Sequence, residues 1–236
     1  MSIPFQIVIL GGGTAGWMAA NLFAHKWAAK LNDKSMGVTL VESPDIGIVG
    51  VGEGSTPTLK RFFSKLGIAD GDWMPQCNAT YKTNIAFEGF SPASGIKRYS
   101  HPFISQLDTF TQRAFLVNAR TRRLGLDTHT TPADFLLNGV LAKQNKGPQT
   151  PDNFPFNIEY GYHFDSHLLG AFLQQHAIGL GVEHVQANVA SIKQHPNGDI
   201  AQLHCKQGMV ISGDLFVDCS GFSSVLMQKT LGVKFN

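Results

Sequence analysis

The run Gly11-Gly12-Gly13-Thr14-Ala15-Gly16, set directly after the apolar stretch Phe5 to Leu10, constrains this chain most. It contains GxGxxG as Gly11, Gly13 and Gly16. In that pattern the first glycine makes a tight turn, the second lets a pyrophosphate approach the backbone, and the third lets helix and strand pack closely. Ala15 to Lys30 is rich in Ala, Leu, Phe and Trp and is predicted to be a helix. Its first turn, at Thr14 and Ala15, offers free N–H groups and a partial positive charge to phosphates. Val38 to Glu42 is a second apolar strand, and Glu42 at its end can accept hydrogen bonds from ribose hydroxyls. The order strand, glycine turn, helix, strand predicts a parallel α/β sheet that binds a dinucleotide. A glycine-rich turn without a ligand is the alternative.

The length of 236 residues suits one large α/β domain or two small ones. A hydrophobic content of 43% against 15% charged predicts a packed core rather than disorder. The net charge of +2 gives no argument for nucleic acid or a membrane surface. No apolar run approaches the ~20 residues of a spanning helix, and no signal-peptide pattern opens the chain, so a cytoplasmic protein is expected. Arg120, Arg122 and Arg123 read as the solvated face of a helix. Cys77, Cys205 and Cys219 are odd in number and far apart, and read as reduced thiols. His163 and His167 are spaced to share a helix face, but no Glu or Cys nearby completes a metal set, so no metal is expected.

Further on, Ile46 to Gly54 reads as a Gly/Val-rich loop. A helix follows, capped by Ser55 or Thr56, with Pro57 first, Gly67 past its end and an apolar stripe of Leu59, Phe62, Phe63 and Leu66. Lys82 to Phe90 alternates as a half-buried strand. Asp108 to Leu124 and Pro132 to Lys143 read as helices within a middle insertion at about 91–160, and Gly147 to Asn157 as a polar loop. Asp165 caps another helix, with Leu168, Leu169, Phe172 and Leu173 as its buried face and Gly179 to Gly181 as its stop. From Val182 the pattern turns to strands, with Val182 to Ser212 as a β-meander, a hairpin at Asn197-Gly198 and Val189 as a candidate cofactor contact. The last strand, Asp214 to Cys219, ends at Ser220-Gly221. A small-residue turn in that place, with Gly221, resembles the second dinucleotide contact of FAD-dependent hydroxylase-type folds; a core strand ending in a turn is the plainer reading. The segment Gly50-Val51-Gly52-Glu53-Gly54 keeps its backbone N–H groups open. Gly50, Gly52 and Glu53 are therefore candidates to press on a flavin or phosphate, although Glu53 equally suits the dipole of the next helix.

Four segments, GGGTAGWMAA, VGVGEGSTP, DWMPQCNATYK and YGYHFDSHLL, together resemble the flavin-dependent tryptophan halogenase family over essentially the whole chain. The resemblance implies an FAD-binding Rossmann-like α/β fold of the hydroxylase type, with a β-meander and a helical insertion. It implies reduced FAD from a separate flavin reductase, and oxidation of chloride or bromide by O2 to hypohalous acid. The acid would travel to a lysine beside an electron-rich aromatic such as tryptophan or indole. By the match of Trp73-Met74-Pro75-Gln76 and Tyr81-Lys82 that lysine is Lys82, and Ile46 to Thr56 is the strap between flavin and substrate sites. The resemblance also admits a homodimer. On the residues alone, Lys82 is a strand lysine facing Asn84 that packing can lock in place, and an ordinary solvated strand lysine is the plainer reading.

The chain departs from the family in length, being roughly half as long, and in lacking the Trp-x-Trp-x-Ile-Pro motif and the later segment with the catalytic glutamate and halide contacts. It reads as a fragment or split gene product, truncated after Asn236. The family's Tyr-His-Phe-Asp-Ala is Tyr162-His163-Phe164-Asp165-Ser166 here, a stretch expected to start a helix. Two other readings stand beside halogenation: a flavin monooxygenase that hydroxylates its substrate, and a non-catalytic FAD-binding fragment. Phe103, Phe110 and Phe115 are candidates to line an aromatic pocket or simply core.

Overall fold

A computed structural model describes residues 4–47, 50–206 and 208–234. Ile48 and Val49 of the expected 46–54 loop, and Phe235 and Asn236 at the expected truncation, lie outside the described residues. Along the chain run β1 (Phe5–Leu10), α1 (Thr14–Lys26), α2 (Ala28–Asn32), β2 (Met36–Glu42), β3 (Gly52–Gly54), α3 (Pro57–Leu66) and α4 (Asp70–Trp73). They are followed by β4 (Thr80–Lys82), β5 (Asn84–Ser91), β6 (Ile96–Pro102), α5 (Asp108–Arg123), α6 (Leu137–Lys143), β7 (Gly161–Asp165) and α7 (Ser166–Gly179). Then come β8 (Glu183–Gln186), β9 (Val189–Gln194), β10 (Ile200–Cys205), β11 (Val210–Ser212), β12 (Leu215–Asp218) and a π-helical turn, Val225–Thr230. No helix among the described residues is long and apolar enough to cross a membrane.

The chain forms two compact units. The first comprises Met1–Gly52, Gly71–Asn78 and Asp165–Asn236. Its sheet runs β12-β1-β2-β8, parallel throughout. Ile7 and Ile9 are fully buried and Val8 is nearly so, because a parallel strand covered on both faces must be apolar on both. A second sheet is the antiparallel meander β11-β10-β9, turned by Gly198 at φ 92°. Val8, Leu10 and Val41 share one core with Leu203, Cys205 and Leu226. The predicted long first helix is two helices: at Trp27 the backbone leaves α geometry and the ring stacks on Phe23 at 5.4 Å.

Helices α1 and α7 are joined by the buried Asn21, whose amide donates to the carbonyls of Trp17 and Leu173, both at 2.8 Å. Its carbonyl oxygen lies 2.6 Å from His176 Nδ1, and burial followed by the charge of His25 holds the His176 pKa below the ordinary histidine range. Asp165 caps α7 by accepting from the amides of His167 and Leu168. The buried face of α7 is Ser166, Leu169, Gly170, Leu173 and Ala177. Leu168 is exposed and Phe172 only half-buried, because the true contact stripe is one step narrower than the apolar residues suggest. His163 lies on β7 and His167 on α7, so they share no helix face. Correspondingly, Tyr162 to Asp165 is the end of a strand, and the helix begins only at Ser166.

The second unit comprises Glu53–Asp70 and Ala79–Phe164. In α3 the stripe Leu59, Phe62, Phe63 and Leu66 is buried, and Gly67 ends the helix at φ 73°. Thr56 occupies the cap position but gives no side-chain cap bond; the Ser55 hydroxyl instead accepts from the Tyr162 amide at 2.9 Å. The predicted strand 82–90 is broken at Thr83, whose carbonyl accepts from the Phe103 amide. Lys82 therefore ends β4, and β5 forms a hairpin with β6. The middle segment, expected to be helical over 91–160, carries the strand β6 as well as α5 and α6. Phe103 is buried, Phe110 is exposed, and Phe115 packs on Phe135 at 5.8 Å, so the three phenylalanines line no common pocket. Asp70 accepts from the hydroxyls of Tyr160 at 2.9 Å and Tyr162 at 2.7 Å. Burial and the adjacent carboxylate push both phenols up.

Asp218 anchors the turn after β12. Its carboxylate accepts from the Ser220 amide and hydroxyl and from the amides of Leu226 and Met227, at 2.5 to 3.1 Å. Burial raises its pKa, but these four bonds together hold it below the ordinary aspartate value. A depressed folded pKa stabilises the fold fully above the unfolded value, near 4, and the contribution is lost as pH falls through the folded pKa. Asp218→Asn is expected to cost about 1–3 kcal/mol in urea unfolding at pH 7, with the difference from wild type shrinking below about pH 4.

Candidate active site

In the first unit, the chain leaves β1 toward β2 on one side while β12 pairs on the other. The carboxyl end of β1 is thus a topological switch point, where parallel α/β sheets bind ligands. Gly11, at φ 117°, passes the backbone of β12 so closely that a Cβ there would stand 2.2 Å from the Cys219 carbonyl oxygen. A Cβ on Gly16 would stand 1.9 Å from the Gly11 carbonyl oxygen. At Gly13, by contrast, a Cβ would meet nothing within 4 Å. The first and third glycines are required by the protein's own packing, and the second faces open space at the start of α1, where Thr14 and Ala15 begin the helix.

Glu42, at the end of β2, reaches across the turn. A Cβ on Gly12 would collide with its Oε2, 1.6 Å away. Sequence reasoning assigned no role to Gly12; the signal was the third consecutive glycine. The other Glu42 oxygen accepts from His184 Nε2 at 2.6 Å. The Ala187 amide donates to the Glu42 carbonyl at 2.9 Å, which places Val189, at the start of β9, just beyond the end of β2. Gly221 adopts φ 62° two residues after Cys219. The structure therefore gathers Gly11, Gly16, Glu42 and the 219–221 turn at one sheet edge. Gly50 and Gly52 belong to a different stretch, where Val51 is held by the amide and hydroxyl of Ser166. Gly52 and Glu53 are in β3 rather than in a loop. Burial pushes the Cys77 thiol up to about 11, with a further rise from Asp165, and burial also raises Cys205 and Cys219. Among the described residues no cluster of His, Cys, Asp or Glu could hold a metal ion.

In the second unit, Lys82 pairs with Gly161 and Thr80 with His163. Residues two apart share a strand face, so Lys82 and His163 lie on the same face as diagonal neighbours. The half-buried lysine pairs with Gly161, where a Cβ would stand 2.5 Å from the Ser55 carbonyl oxygen. A Cβ on Gly54 would stand 3.0 Å from Lys82 Nζ and 3.2 Å from His163 Cδ2. Lys82 Nζ also lies 6.0 Å from the centroid of the buried Phe103 ring. The expected neighbour Asn84 instead donates to Ser100 Oγ on the hairpin. Partial burial first, and the Lys82 charge second, lower the His163 pKa.

The tryptophan halogenase family profile matches residues 6–236. The chain belongs to the tryptophan halogenase family. The chain is 35% identical over 251 residues to tryptophan 6-halogenase SttH of Streptomyces toxytricini, covering 98% of this chain and 47% of that protein. It is 35% identical over 245 residues to tryptophan 7-halogenase RebH of Lentzea aerocolonigenes, covering 98% and 45%. The flavin-dependent halogenase Xcc4156 of Xanthomonas campestris superposes with a TM-score of 0.81 at 34% identity, over 99% of this chain and 45% of that one. The chain spans about half the length of these halogenases, and its fold is the α/β fold they share.

The three glycines separate by experiment. Gly13→Ala is expected to change unfolding stability by less than about 0.5 kcal/mol, and Gly16→Ala to cost about 2 kcal/mol or more, both read by denaturant titration. Lys82→Met is expected to raise the His163 pKa, measured by NMR, because it removes the neighbouring charge.

Proposed function

We propose that this chain is the FAD-binding portion of a flavin-dependent halogenase and that it carries the halogen-delivering lysine, Lys82. The observation that carries the reading is the placement of Lys82 Nζ beside Gly54 and His163. The cradle fits a dinucleotide, since the open space at Gly13 lies at a helix N-terminus and at a sheet switch point. Gly11, Gly13, Thr14, Ala15 and Gly16 would hold the pyrophosphate, and Glu42 the adenosine ribose. Val189 and Gly221 would flank the nucleotide, and Gly50, Gly52 and Glu53 would serve the flavin side.

When bound, reduced FAD from a separate flavin reductase supplies the electrons with which O2 oxidises chloride or bromide to hypohalous acid. Lys82 then holds the acid by donating a hydrogen bond, or takes the halogen as a haloamine with release of water. In either case an electron-rich aromatic such as tryptophan or indole receives the halogen. The packed lysine favours this over hydroxylation, which needs the substrate beside the flavin and has no use for a separate amine.

The test combines the protein with FAD, a flavin reductase, NADH, O2, bromide and indole. Halide-dependent halogenated product that disappears in Lys82→Ala, with flavin reoxidation unchanged, is the expected result. Hydroxylated product formed without halide would replace the reading with a monooxygenase, and bound FAD without either product would leave an FAD-binding fragment. Gly13→Val is expected to fold normally and to lose FAD, read by absorbance of the purified protein.

A further inference from the structure

The acid at the end of β2 does not stand alone. His184 comes from β8, the strand that pairs with β2, and its Nε2 lies 2.6 Å from Glu42 Oε1. Its other ring nitrogen, Nδ1, lies 3.2 Å from the side-chain amide nitrogen of Gln174 on α7. An amide nitrogen can only donate, so Nδ1 must accept and the imidazole proton sits on Nε2, where it is donated to the carboxylate. The ring is further held edge-on to Trp17 of α1, with centroids 5.1 Å apart. Side-chain exposures of 15% for His184 and 22% for Glu42 show the pair to be largely withdrawn from solvent. Helices α7 and α1 thus both contact the His184 ring, which in turn meets one carboxylate oxygen. The second oxygen lies over Gly12, a position that any side chain would block.

We propose that His184 is a positioning residue for nucleotide recognition, and that the relay Gln174–His184–Glu42 aims one carboxylate oxygen at the 2′-hydroxyl of the ribose. This rests on Glu42 being the ribose acceptor, as read above. The relay ties Oε1 to protein and leaves Oε2 at the mouth of the glycine turn as the acceptor. Without His184 the carboxylate loses its anchor and rotates among other rotamers, so a ribose hydroxyl meets it in the productive geometry only part of the time.

The probes are ADP and 2′-deoxy-ADP, titrated calorimetrically against wild type, His184→Leu, His184→Gln and Gln174→Leu. Wild type is expected to prefer ADP about tenfold, the value of one hydrogen bond to a charged acceptor. In His184→Leu the preference falls toward one while affinity for 2′-deoxy-ADP stays unchanged, which a general loss of structure would not produce. His184→Gln retains a donor and restores most of the preference. Gln174→Leu, which leaves the ring in place, weakens the preference in part and serves if His184→Leu does not fold. An unchanged preference in His184→Leu, or a His184 ring protonated at Nδ1 rather than Nε2 by 15N NMR, overturns the inference alone. Failure of the wild type to bind either nucleotide overturns it together with the nucleotide-binding reading.

Discussion

The architecture of the first unit depends on one close backbone approach. Between Gly11, Gly16 and Cys219, β1, α1 and β12 converge at distances that leave no room for a Cβ. That approach puts β12 beside β1, which creates the switch point, and it sets the start of α1 over the open space at Gly13. The parallel sheet, with Ile7 and Ile9 fully buried, makes the crossing rigid. The open turn at the end of β1 is a consequence of how tightly the protein packs on itself, with Gly13 the one glycine of the motif that the packing does not need.

The second unit handles a lysine by a related device. In the short β3-β7-β4 sheet, Gly54 leaves room for Lys82 Nζ, which lies beside His163 and 6.0 Å from the centre of the Phe103 ring. On the neighbouring strand positions Tyr162 is buried and bound to Asp70, which anchors β7 so that the opposite face can be spared for the lysine.

Much of this was legible in the chain itself. The strand Phe5–Leu10 has its predicted limits, α3 has its predicted stripe and glycine stop, Asp165 caps α7, and Asn197-Gly198 turns a hairpin. These are local signals, each set by side-chain period or by backbone φ within a few residues. The readings that shifted depended on long-range pairing. Thr83 breaks a pattern that alternates perfectly well, because Lys82 before it pairs with Gly161 on β7 while Asn84 after it pairs with Pro102 on β6. Leu168 and Phe172 are apolar but face outward or only partly inward, since α1 meets α7 along Leu169, Leu173 and Ala177.

The sequence by itself determined the α/β class, the glycine turn at the end of β1 and the resemblance to the family, because glycine spacing, strand polarity and a few motif residues carry those in short windows. Only the tertiary structure decided what surrounds them: that Lys82 meets Gly54 and His163, and that Glu42 is held by His184, itself in contact with Gln174, from more than 130 residues away. The physical reason is that hydrogen bonds and steric limits act through space, and no local period records which distant strand will be folded alongside.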